Sequence, residues 1–290
     1  MAAVRLEAPA KVNLHLGVHP GRDGRGYHRV DSLMAAVGLA DVVEVAEGGT
    51  GTGLVLSMDG VNVDVAPERN TAHVAARRLA QAVGRPADLR ISLEKRIPAQ
   101  SGLGGSSSDA AAVLLALCQL WGLEAGDARV RQVAKSVGAD VPFFLDLRPT
   151  LLAGYGDEPV ESFPALGAAV VLVRPAGGVP TPAAYEAFDE SPVEPKSPEA
   201  MAAALRTGDV AGVATSLSNN LAGAARAVEP QVADAERLLE AAPGVLGSQV
   251  TGSGSCCFGI CESDEAARAV AEEAKLQGFW ACATRFVAGR

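Results

Sequence analysis

Apolar and polar side chains alternate strictly from residue 11 to residue 18. One face of this segment carries four aliphatic residues, Val12, Leu14, Leu16 and Val18. The other face carries Lys11, Asn13, His15 and Gly17. A period of two predicts a half-buried β-strand. Other short apolar runs predict strands at 42–46, 53–58, 61–65, 89–93, 168–173, 245–250, 256–261 and 279–287.

Capping residues and apolar periodicity predict several helices between these strands. The helices are expected at 71–83, 110–121, 127–138 and 264–276, with further starts at Thr181-Pro182 and Ser197-Pro198. Strands and helices are mixed without the regular alternation of a doubly wound sheet, so the predicted fold class is α+β. A length of 290 residues suggests one large or two modest domains.

The charge balance narrows the possible functions. The formal net charge is −9, with 25 Lys plus Arg against 34 Asp plus Glu, and no long basic run occurs. This argues against a nucleic-acid binder, because such a protein needs cations that neutralise phosphates. If the protein binds an anion, backbone N–H groups at the start of a helix must supply the local site.

The cysteines of the chain indicate the cellular compartment in which the protein works. The chain has five cysteines without a CxxC pair, which is expected of a reducing compartment and hence the cytoplasm. We interpret the three between Cys256 and Cys261 as buried strand residues. No signal peptide is expected at the N-terminus, and no apolar run is long enough to predict a membrane span.

The strongest chemical signal is the segment 98–109, Pro-Ala-Gln-Ser-Gly-Leu-Gly-Gly-Ser-Ser-Ser-Asp. Gly102, Gly104 and Gly105 permit positive φ angles and a close approach of the backbone to a ligand. Serines follow at the start of the apolar helix, where free N–H groups and the helix dipole attract phosphate. The pattern is neither GxGxxG nor a Walker motif, since no lysine follows the glycines. A flexible turn before a helix is the alternative interpretation.

Four further features are ambiguous by pattern alone. The loop Thr251-Gly-Ser-Gly-Ser255 could bind a ligand or be a simple hairpin turn. Lys11 could neutralise a phosphoryl group or be a solvated strand lysine. Asp140, between a helix end and an apolar run predicted to start a strand, could be a general base or a turn aspartate. Tyr27-His28 could stack on a base or be a partly exposed loop pair.

Together these motifs resemble the GHMP kinase superfamily, whose phosphate motif is matched by Pro98 through Ser107. Three other segments, 9–14, 138–142 and 251–255, are similar to the branch that phosphorylates a cytidine-diphosphate-linked methylerythritol in non-mevalonate isoprenoid synthesis. Tyr27-His28 and Val179–Pro182 also fit that branch. The matches run in order from residue 8 to about residue 260.

The resemblance implies a two-domain fold, with a ribosomal protein S5-like domain at 1–155 and a ferredoxin-like domain at 156–290. It also implies transfer of the γ-phosphoryl group of ATP, with Mg²⁺, to the 2-hydroxyl of that small-molecule substrate, in a cleft between the domains. The acidic charge and the lack of a long apolar run predict that neither nucleic acid nor a membrane is a partner, and no dedicated metal ligand is predicted. A monomer or a homodimer fits equally well.

Carried over by position, the resemblance implies that Asp140 is the general base and that Lys11 assists it. The implied substrate-binding residues are Asn13, Tyr27, His28 and Thr181. The implied ATP-binding residues are Asn70, Pro98, Gln100, Ser101, Gly102, Leu103, Gly104, Gly105, Ser106, Ser107 and Ser108.

The chain departs from the family pattern at two places. Two extra residues, Arg25-Gly26, interrupt the family run Asp-Gly-Tyr-His, so they can displace Tyr27-His28 from cytosine. Gln100-Ser101 stands where many relatives have glycine.

Two other functions remain open on these residues. The chain could phosphorylate homoserine, mevalonate or a sugar, in which case Tyr27-His28 has no cytosine to contact. It could also be a non-catalytic nucleotide-binding or RNA-associated module, which the acidic charge and the presence of both Lys11 and Asp140 disfavour.

Overall fold

The computed structural model describes residues 2–60 and 66–290. In these ranges the strands are β1 Ala3–Val18, β2 Val30–Glu47, β3 Leu54–Gly60, β4 Leu89–Lys95, β5 Thr150–Ala153, β6 Glu158–Ser162, β7 Ala169–Arg174, β8 Ser218–Asn219, β9 Val245–Val250, β10 Cys257–Cys261 and β11 Trp280–Arg285. The helices are α1 Thr71–Val83, α2 Gly105–Trp121, α3 Ala128–Val137, α4 Thr181–Glu190, α5 Glu199–Thr207, α6 Val210–Thr215, α7 Ala222–Val228, α8 Val232–Ala241 and α9 Asp264–Leu276. The strand predicted at 61–65 lies outside the described residues.

The chain divides into two compact units that are interleaved in sequence. The first unit comprises Met1–Ala10, Leu39–Ala99 and Gly104–Asp146. The second comprises Lys11–Gly38, Gln100–Leu103 and Leu147–Arg290. The predicted division at residue 155 stays a prediction.

In the first unit, the C-terminal half of β2 pairs antiparallel with β4, and β4 pairs in parallel with β3. Helix α2 packs against α1 and α3. It is buried on nearly every side, as expected of a helix that is apolar all round. The first helical residue of α2 is therefore fixed in place by the core behind it.

Helix ends follow the predicted caps. The Asn70 side chain accepts the N–H of Ala72 at the start of α1, and Gly84 ends that helix at φ 70°. Ser263 caps α9 in the same way. The caps confirm these boundaries, because polar side chains satisfy N–H groups that the helix leaves open.

In the second unit, four antiparallel strands form a sheet in the order β11-β7-β10-β9. Numbered along the chain from β7, this order is 4-1-3-2, and α9 lies between the last two strands in sequence. That topology is the ferredoxin-like arrangement. Helices α8 and α9 pack on the sheet around a core that includes Val171, Val173 and Cys257. The ferredoxin-like prediction for the C-terminal part is confirmed.

Other pairings of the second unit involve the long strands. The N-terminal part of β2 pairs with β5, which pairs with β6. His15 and Leu16 at the end of β1 pair in parallel with the short strand β8. Strand β2 is far longer than the predicted 42–46, because its first part is apolar and buried on both faces and lacks an alternating pattern.

Four local predictions are wrong. Pro198 rather than Ser197 is the N-cap of α5, so this helix begins one residue later than predicted. The run after Asp140 forms a single 3₁₀ turn, Phe143–Leu145, and not a strand. Pro180 rather than Thr181 is the N-cap of α4, so this helix begins one residue earlier than predicted. Gly105 is the first residue of α2 and not one of the glycines with positive φ.

Candidate active site

A buried chain of polar groups starts on β1 in the second unit. Lys11 is only 4% exposed, and its Nζ donates to Oδ1 of Asn13 at 2.6 Å. The Asn13 amide group donates to Oγ of Ser32 at 2.8 Å. Buried charges and amides persist only when they are hydrogen-bonded. The structure thus joins by a hydrogen bond two residues that the alternating pattern had placed on one face of the strand.

Thr251 joins this chain to the second glycine–serine loop. Its Oγ1 accepts the backbone N–H of Asn13 at 3.0 Å and donates to Oδ1 of the same residue at 3.2 Å. Thr251 is completely buried. The sequence offered only a weak signal here, because a Gly-Ser hairpin turn has the same composition. The role of this threonine as a support of Asn13 comes from the structure alone.

Residues 100–103 pack directly on this second loop. The carbonyl oxygen of Gln100 accepts the N–H groups of Val179 at 3.1 Å and Ser255 at 3.3 Å. A Cβ added to Gly102, which has φ 76°, would lie 2.0 Å from the carbonyl oxygen of Thr251. Only glycine fits at this contact. Gln100 itself has φ 52°, a left-handed conformation in which glycine is less strained than a residue with a side chain.

The loop also contacts β1 through its main chain. The carbonyl oxygen of Leu103 accepts the N–H of Lys11 at 3.0 Å. The N–H of Cys256 donates to the carbonyl oxygen of Ser101 at 3.1 Å, and Ser101 is buried. The segment 100–103 is therefore held by backbone hydrogen bonds on two sides.

In the first unit, the loop continues into the start of α2. Gly104 is the N-cap at φ 72° and has no side chain to satisfy the first N–H groups of the helix. Such N–H groups have no partner within the helix and can bind an anion. Ser107 and Ser108 donate their N–H groups to the Gly104 carbonyl oxygen at 3.1 and 3.0 Å. The geometry suits a phosphate at the N-terminus of α2.

The serines at this helix start are not equivalent. The Ser108 hydroxyl is buried and donates to the carbonyl oxygen of Pro9 at 2.7 Å. Ser106 is exposed, and its carbonyl oxygen accepts the hydroxyl of Thr71 at 2.6 Å. Ser108 therefore has a structural use, whereas the side chains of Ser106 and Ser107 lie nearer the surface.

Asp140 lies in the first unit, in the turn that follows α3. Its side chain is half-buried. A Cβ on Gly138, two residues earlier, would lie 3.9 Å from Oγ of Ser107. The turn that carries Asp140 thus runs beside the start of α2. Asn70, also in this unit, uses its side chain to cap α1 and places Nδ2 3.2 Å from Sδ of Met58.

The loop that carries Tyr27 is closed by Asp23 in the second unit. Oδ1 of Asp23 accepts the N–H groups of Arg25 and Tyr27 at 2.9 and 3.0 Å. Oδ2 accepts the hydroxyl of Tyr155 at 2.6 Å, and this bond does most to lower the pKa of Asp23. The Arg25 guanidinium lies 4.6 Å from the centre of the Tyr155 ring. The extra Arg25-Gly26 is thus accommodated inside a closed turn, with Gly26 at φ 84°.

Tyr27 and His28, which the sequence predicted as an aromatic pair, differ in their exposure to solvent. Tyr27 is 62% exposed and meets the Tyr155 ring edge-on at 6.2 Å between centroids. His28 is buried, with Nδ1 2.9 Å from the carbonyl oxygen of His19. The His28 ring packs 5.5 Å from Tyr185 and 5.7 Å from Phe188. Tyr27 is therefore open to a ligand, while His28 has a fixed orientation.

Thr181 is the first residue of α4, in the second unit. Its Oγ1 lies 3.1 Å from Oγ of Ser253, in the middle of the second glycine–serine loop. The loop 251–255 therefore connects to Asn13, Gly102 and Thr181, three positions predicted separately from the sequence.

Two kinds of feature are absent from the part of the chain that the structure describes. Within 2–60 and 66–290, no group of three or more His, Cys, Asp or Glu side chains is arranged to hold a metal ion. None of the helices in those ranges combines the length and apolarity needed to cross a membrane.

Comparison with known proteins places these features in a family. The model of the GHMP kinases N terminal domain matches residues 70–146, and the model of the GHMP kinases C terminal domain matches residues 201–278. The 4-diphosphocytidyl-2-C-methyl-D-erythritol kinase of Rhodospirillum rubrum is 36% identical over 291 residues, which cover 97% of this chain and 91% of that protein.

Solved structures of GHMP kinases are similar to this chain in fold. A crystal structure of 4-(cytidine 5'-diphospho)-2C-methyl-D-erythritol kinase superposes with a TM-score of 0.80 at 36% identity, covering 98% of this chain and all (100%) of the other. Homoserine kinase from Cytophaga hutchinsonii has a TM-score of 0.77 at 20% identity, covering 100% of this chain and 96% of the other, and shares the fold. With both family models and a full-length relative matching, the chain belongs to the GHMP kinase family, among the 4-diphosphocytidyl-2-C-methyl-D-erythritol kinases.

Proposed function

We propose that this GHMP kinase transfers the γ-phosphoryl group of ATP to the 2-hydroxyl of 4-diphosphocytidyl-2-C-methyl-D-erythritol. The observation that carries the proposal is the 36% identity to a kinase of that name over 97% of the chain. The buried Lys11 supports it, because its hydrogen bond to Asn13 holds an ammonium group in one orientation, in which it can stabilise charge on a phosphoryl group.

In the proposed reaction, Asp140 accepts the proton of the substrate hydroxyl as its oxygen attacks the γ-phosphorus. The bond between the γ-phosphorus and the bridging oxygen breaks, and ADP leaves. Lys11 neutralises charge on the transferring group, and Asn13 orients the alcohol. Phosphoryl transfer depends mainly on positioning and on charge stabilisation, which a carboxylate and a held ammonium group provide.

We propose that ATP arrives as its Mg²⁺ complex, with its phosphates against the backbone of Gly102 to Ser107. The positive end of the α2 dipole and the open N–H groups at Gly105 and Ser106 support this assignment. Pro98 to Ser101 and the buried Ser108 would shape the loop around the phosphates. Asn70 would lie near the adenine.

Recognition of the cytidylyl part is assigned to Tyr27, His28 and Thr181. The exposed Tyr27 ring supports stacking on cytosine. His28 would hydrogen-bond the base edge, for which its Nε2 would have to leave Oδ1 of Asp189, 3.0 Å away. Thr181 would contact the substrate from α4. We place this reaction in the cytoplasm, in keeping with the unpaired, mostly buried cysteines.

A kinase assay with a panel of alcohols tests the proposal. The cytidine-diphosphate-linked methylerythritol should give the highest kcat/KM, and homoserine and mevalonate should give at least about 10³-fold less, because unpaired polar groups in a site reject the wrong ligand. Equal turnover of homoserine would contradict the assigned substrate. Absence of turnover with every alcohol would favour a nucleotide-binding module.

A further inference from the structure

A buried cluster of charged side chains lies within the first unit, beside the start of α2. Asp41 on β2 is 0% exposed and Asp109 on α2 is 2% exposed. Lys95, the last residue of β4, places its Nζ between them and pairs with Oδ2 of each carboxylate. None of these three residues belongs to the proposed contacts with ATP or the alcohol.

The cluster joins the two ends of the phosphate-binding loop. On the N-terminal side, Oδ1 of Asp41 accepts the backbone N–H groups of Arg96 at 2.5 Å and Ile97 at 2.8 Å, directly before Pro98. On the C-terminal side, Asp109 is the fifth residue of α2. One lysine therefore connects the strand that enters the loop with the helix that leaves it.

Close packing reinforces this connection. A Cβ on Gly105, the first residue of α2, would lie 3.0 Å from Cγ2 of Ile97 and 3.5 Å from Oδ2 of Asp41. The start of α2 thus packs directly against Ile97, which follows β4, and against the carboxylate of Asp41. A shift of either flank changes the direction of the open N–H groups at the helix start.

The electrostatics of the cluster are unusual for a purely structural ion pair. Burial raises the pKa of Asp109 to about 7, against the pull of Lys95 and with a further contribution from Asp41. Burial opposes the charge on Lys95, but Asp109 and Asp41 outweigh it and raise its pKa. Oδ1 of Asp109 has no hydrogen-bond partner among the described residues. A cluster with two carboxylates for one ammonium is costly to bury, so stability alone is a poor reason for it.

We propose that Asp41, Lys95 and Asp109 are positioning residues for ATP, which clamp both flanks of the loop at 98–104 and present the first N–H groups of α2 in one geometry before ATP binds. The inference rests on the proposed phosphate site at that loop. Its physical basis is preorganisation: a loop already in its binding conformation loses less conformational entropy when the ligand arrives.

The test separates positioning from stability by replacing the whole cluster. The variant Asp41→Asn/Lys95→Met/Asp109→Leu removes all three charges with side chains of similar size. Such replacements often leave stability unchanged or higher. We expect a thermal midpoint within about 5 °C of wild type. The KM for ATP should rise at least about tenfold, with kcat and the KM for the alcohol within about twofold.

Binding is also measured without turnover, with a non-hydrolysable ATP analogue in a calorimeter. The single variant Asp41→Asn, which keeps the shape of the side chain, provides a second measurement should the triple variant unfold. Wild-type affinity for the analogue in either folded variant would overturn the inference. Failure of both variants to fold would also overturn it, because the cluster would then serve the fold itself.

Two further variants make it possible to test the positioning role separately from the proposed phosphate site. Ser106→Pro deletes one open N–H group at the helix start, a place where proline is tolerated. Weaker analogue binding by Ser106→Pro with normal binding by the cluster variants would refute the positioning role and keep the phosphate site. Normal binding by Ser106→Pro would refute the phosphate site. Glu236→Gln, which breaks the ion pair with Arg226 in the second unit, is the matched control and should bind as wild type.

Discussion

At the scale of single residues, the most informative side chains are polar groups held inside the protein. Lys11 is a charged residue in a packed strand, and its hydrogen bond to Asn13 offsets part of the cost of its burial. An unpaired buried ammonium group would lose its proton or unfold the site. The pattern of alternation identified Lys11 and Asn13 as neighbours, but their hydrogen bond is a tertiary observation.

Asp140 is the residue on which the proposed chemistry depends most. Asp140→Asn keeps the shape of the side chain and removes its ability to accept a proton. We expect kcat to fall at least about 10²-fold with the affinity for ATP nearly unchanged. Steady-state kinetics and calorimetric titration measure the two quantities. Turnover at the wild-type rate would exclude Asp140 as the general base.

Tyr27 tests recognition of the cytidylyl group. Its ring is 62% exposed, so Tyr27→Ala should leave the fold intact. Loss of a stacking partner costs about 1 to 3 kcal/mol, so the KM for the cytidylyl substrate should rise about 5- to 150-fold. The KM for ATP should not change. Val193→Ala, at a residue that is 56% exposed, is a control for truncation of a surface side chain. A fall in kcat without a change in KM would contradict simple stacking.

At the scale of structural elements, the two glycine–serine loops form one backbone interface within the second unit. Gly102 lies against the Thr251 carbonyl, and Cys256 donates its N–H to Ser101. In the sequence alone, the two loops are separate motifs, and the loop at 251–255 is the weaker indication of ligand binding. The loop at 251–255 has the structural role, since it supports residues 100–103 of the phosphate loop.

Gly102→Ala tests this interface. A methyl group there would lie 2.0 Å from the Thr251 carbonyl oxygen, in a conformation that already strains an L residue. We expect a loss of about 2 to 4 kcal/mol in the free energy of unfolding.

The matched control for Gly102→Ala is Gly208→Ala. Gly208 has φ 68° with no atom within 4 Å of the added methyl group, so it reports the backbone strain alone. That strain should cost about 1 to 2 kcal/mol. Chemical denaturation measures both variants. Equal losses would mean that the second loop yields to the collision and does not fix Gly102.

At the scale of the whole molecule, the two compact units are interleaved, and β1 and β2 each contribute to both. Two of the five boundaries, Ala10/Lys11 and Gly38/Leu39, fall within continuous strands. Domain boundaries are recognised in sequence by linkers rich in proline, glycine or polar residues. A boundary inside a strand has no such signature, and hence the predicted single division at residue 155 could not include it.

The buried cluster makes the stability of the molecule depend on pH. Burial raises the pKa of Asp109 to about 7 in the folded protein, whereas an aspartate in an unfolded chain has a pKa of about 4. Between these values the folded state binds the additional proton, so this residue contributes stability at low pH that is lost as the pH rises through 7. Asp109→Asn removes the dependence.

We therefore expect Asp109→Asn to gain stability relative to wild type between pH 4 and pH 8. The gain should be at most about 4 kcal/mol, since one pKa unit corresponds to about 1.4 kcal/mol. Urea denaturation at several pH values measures it. Glu272→Gln, an exposed carboxylate on α9, controls for the loss of one negative charge. A difference from wild type that is constant across this range would contradict the raised pKa.

By itself the sequence determined the α+β class, the caps of α1 and α9, the strands β9 and β10, and the residues of the glycine–serine loop. These features depend on local propensity, periodicity and short motifs, which a single chain segment already contains. It did not reveal the first part of β2, because a run buried on both faces lacks a periodic signal. It also did not reveal α6, α7 and α8, which have only 6, 7 and 10 residues and therefore too few turns to show a clear period.

Only the tertiary structure decided that Thr251 holds Asn13, that Asp23 and Tyr155 close the loop of Tyr27, and that one lysine joins Asp41 to Asp109. Each of these contacts links residues that lie between 14 and 238 positions apart. Their partners are selected by packing of the whole unit and by the need to satisfy buried polar groups, which no local pattern encodes.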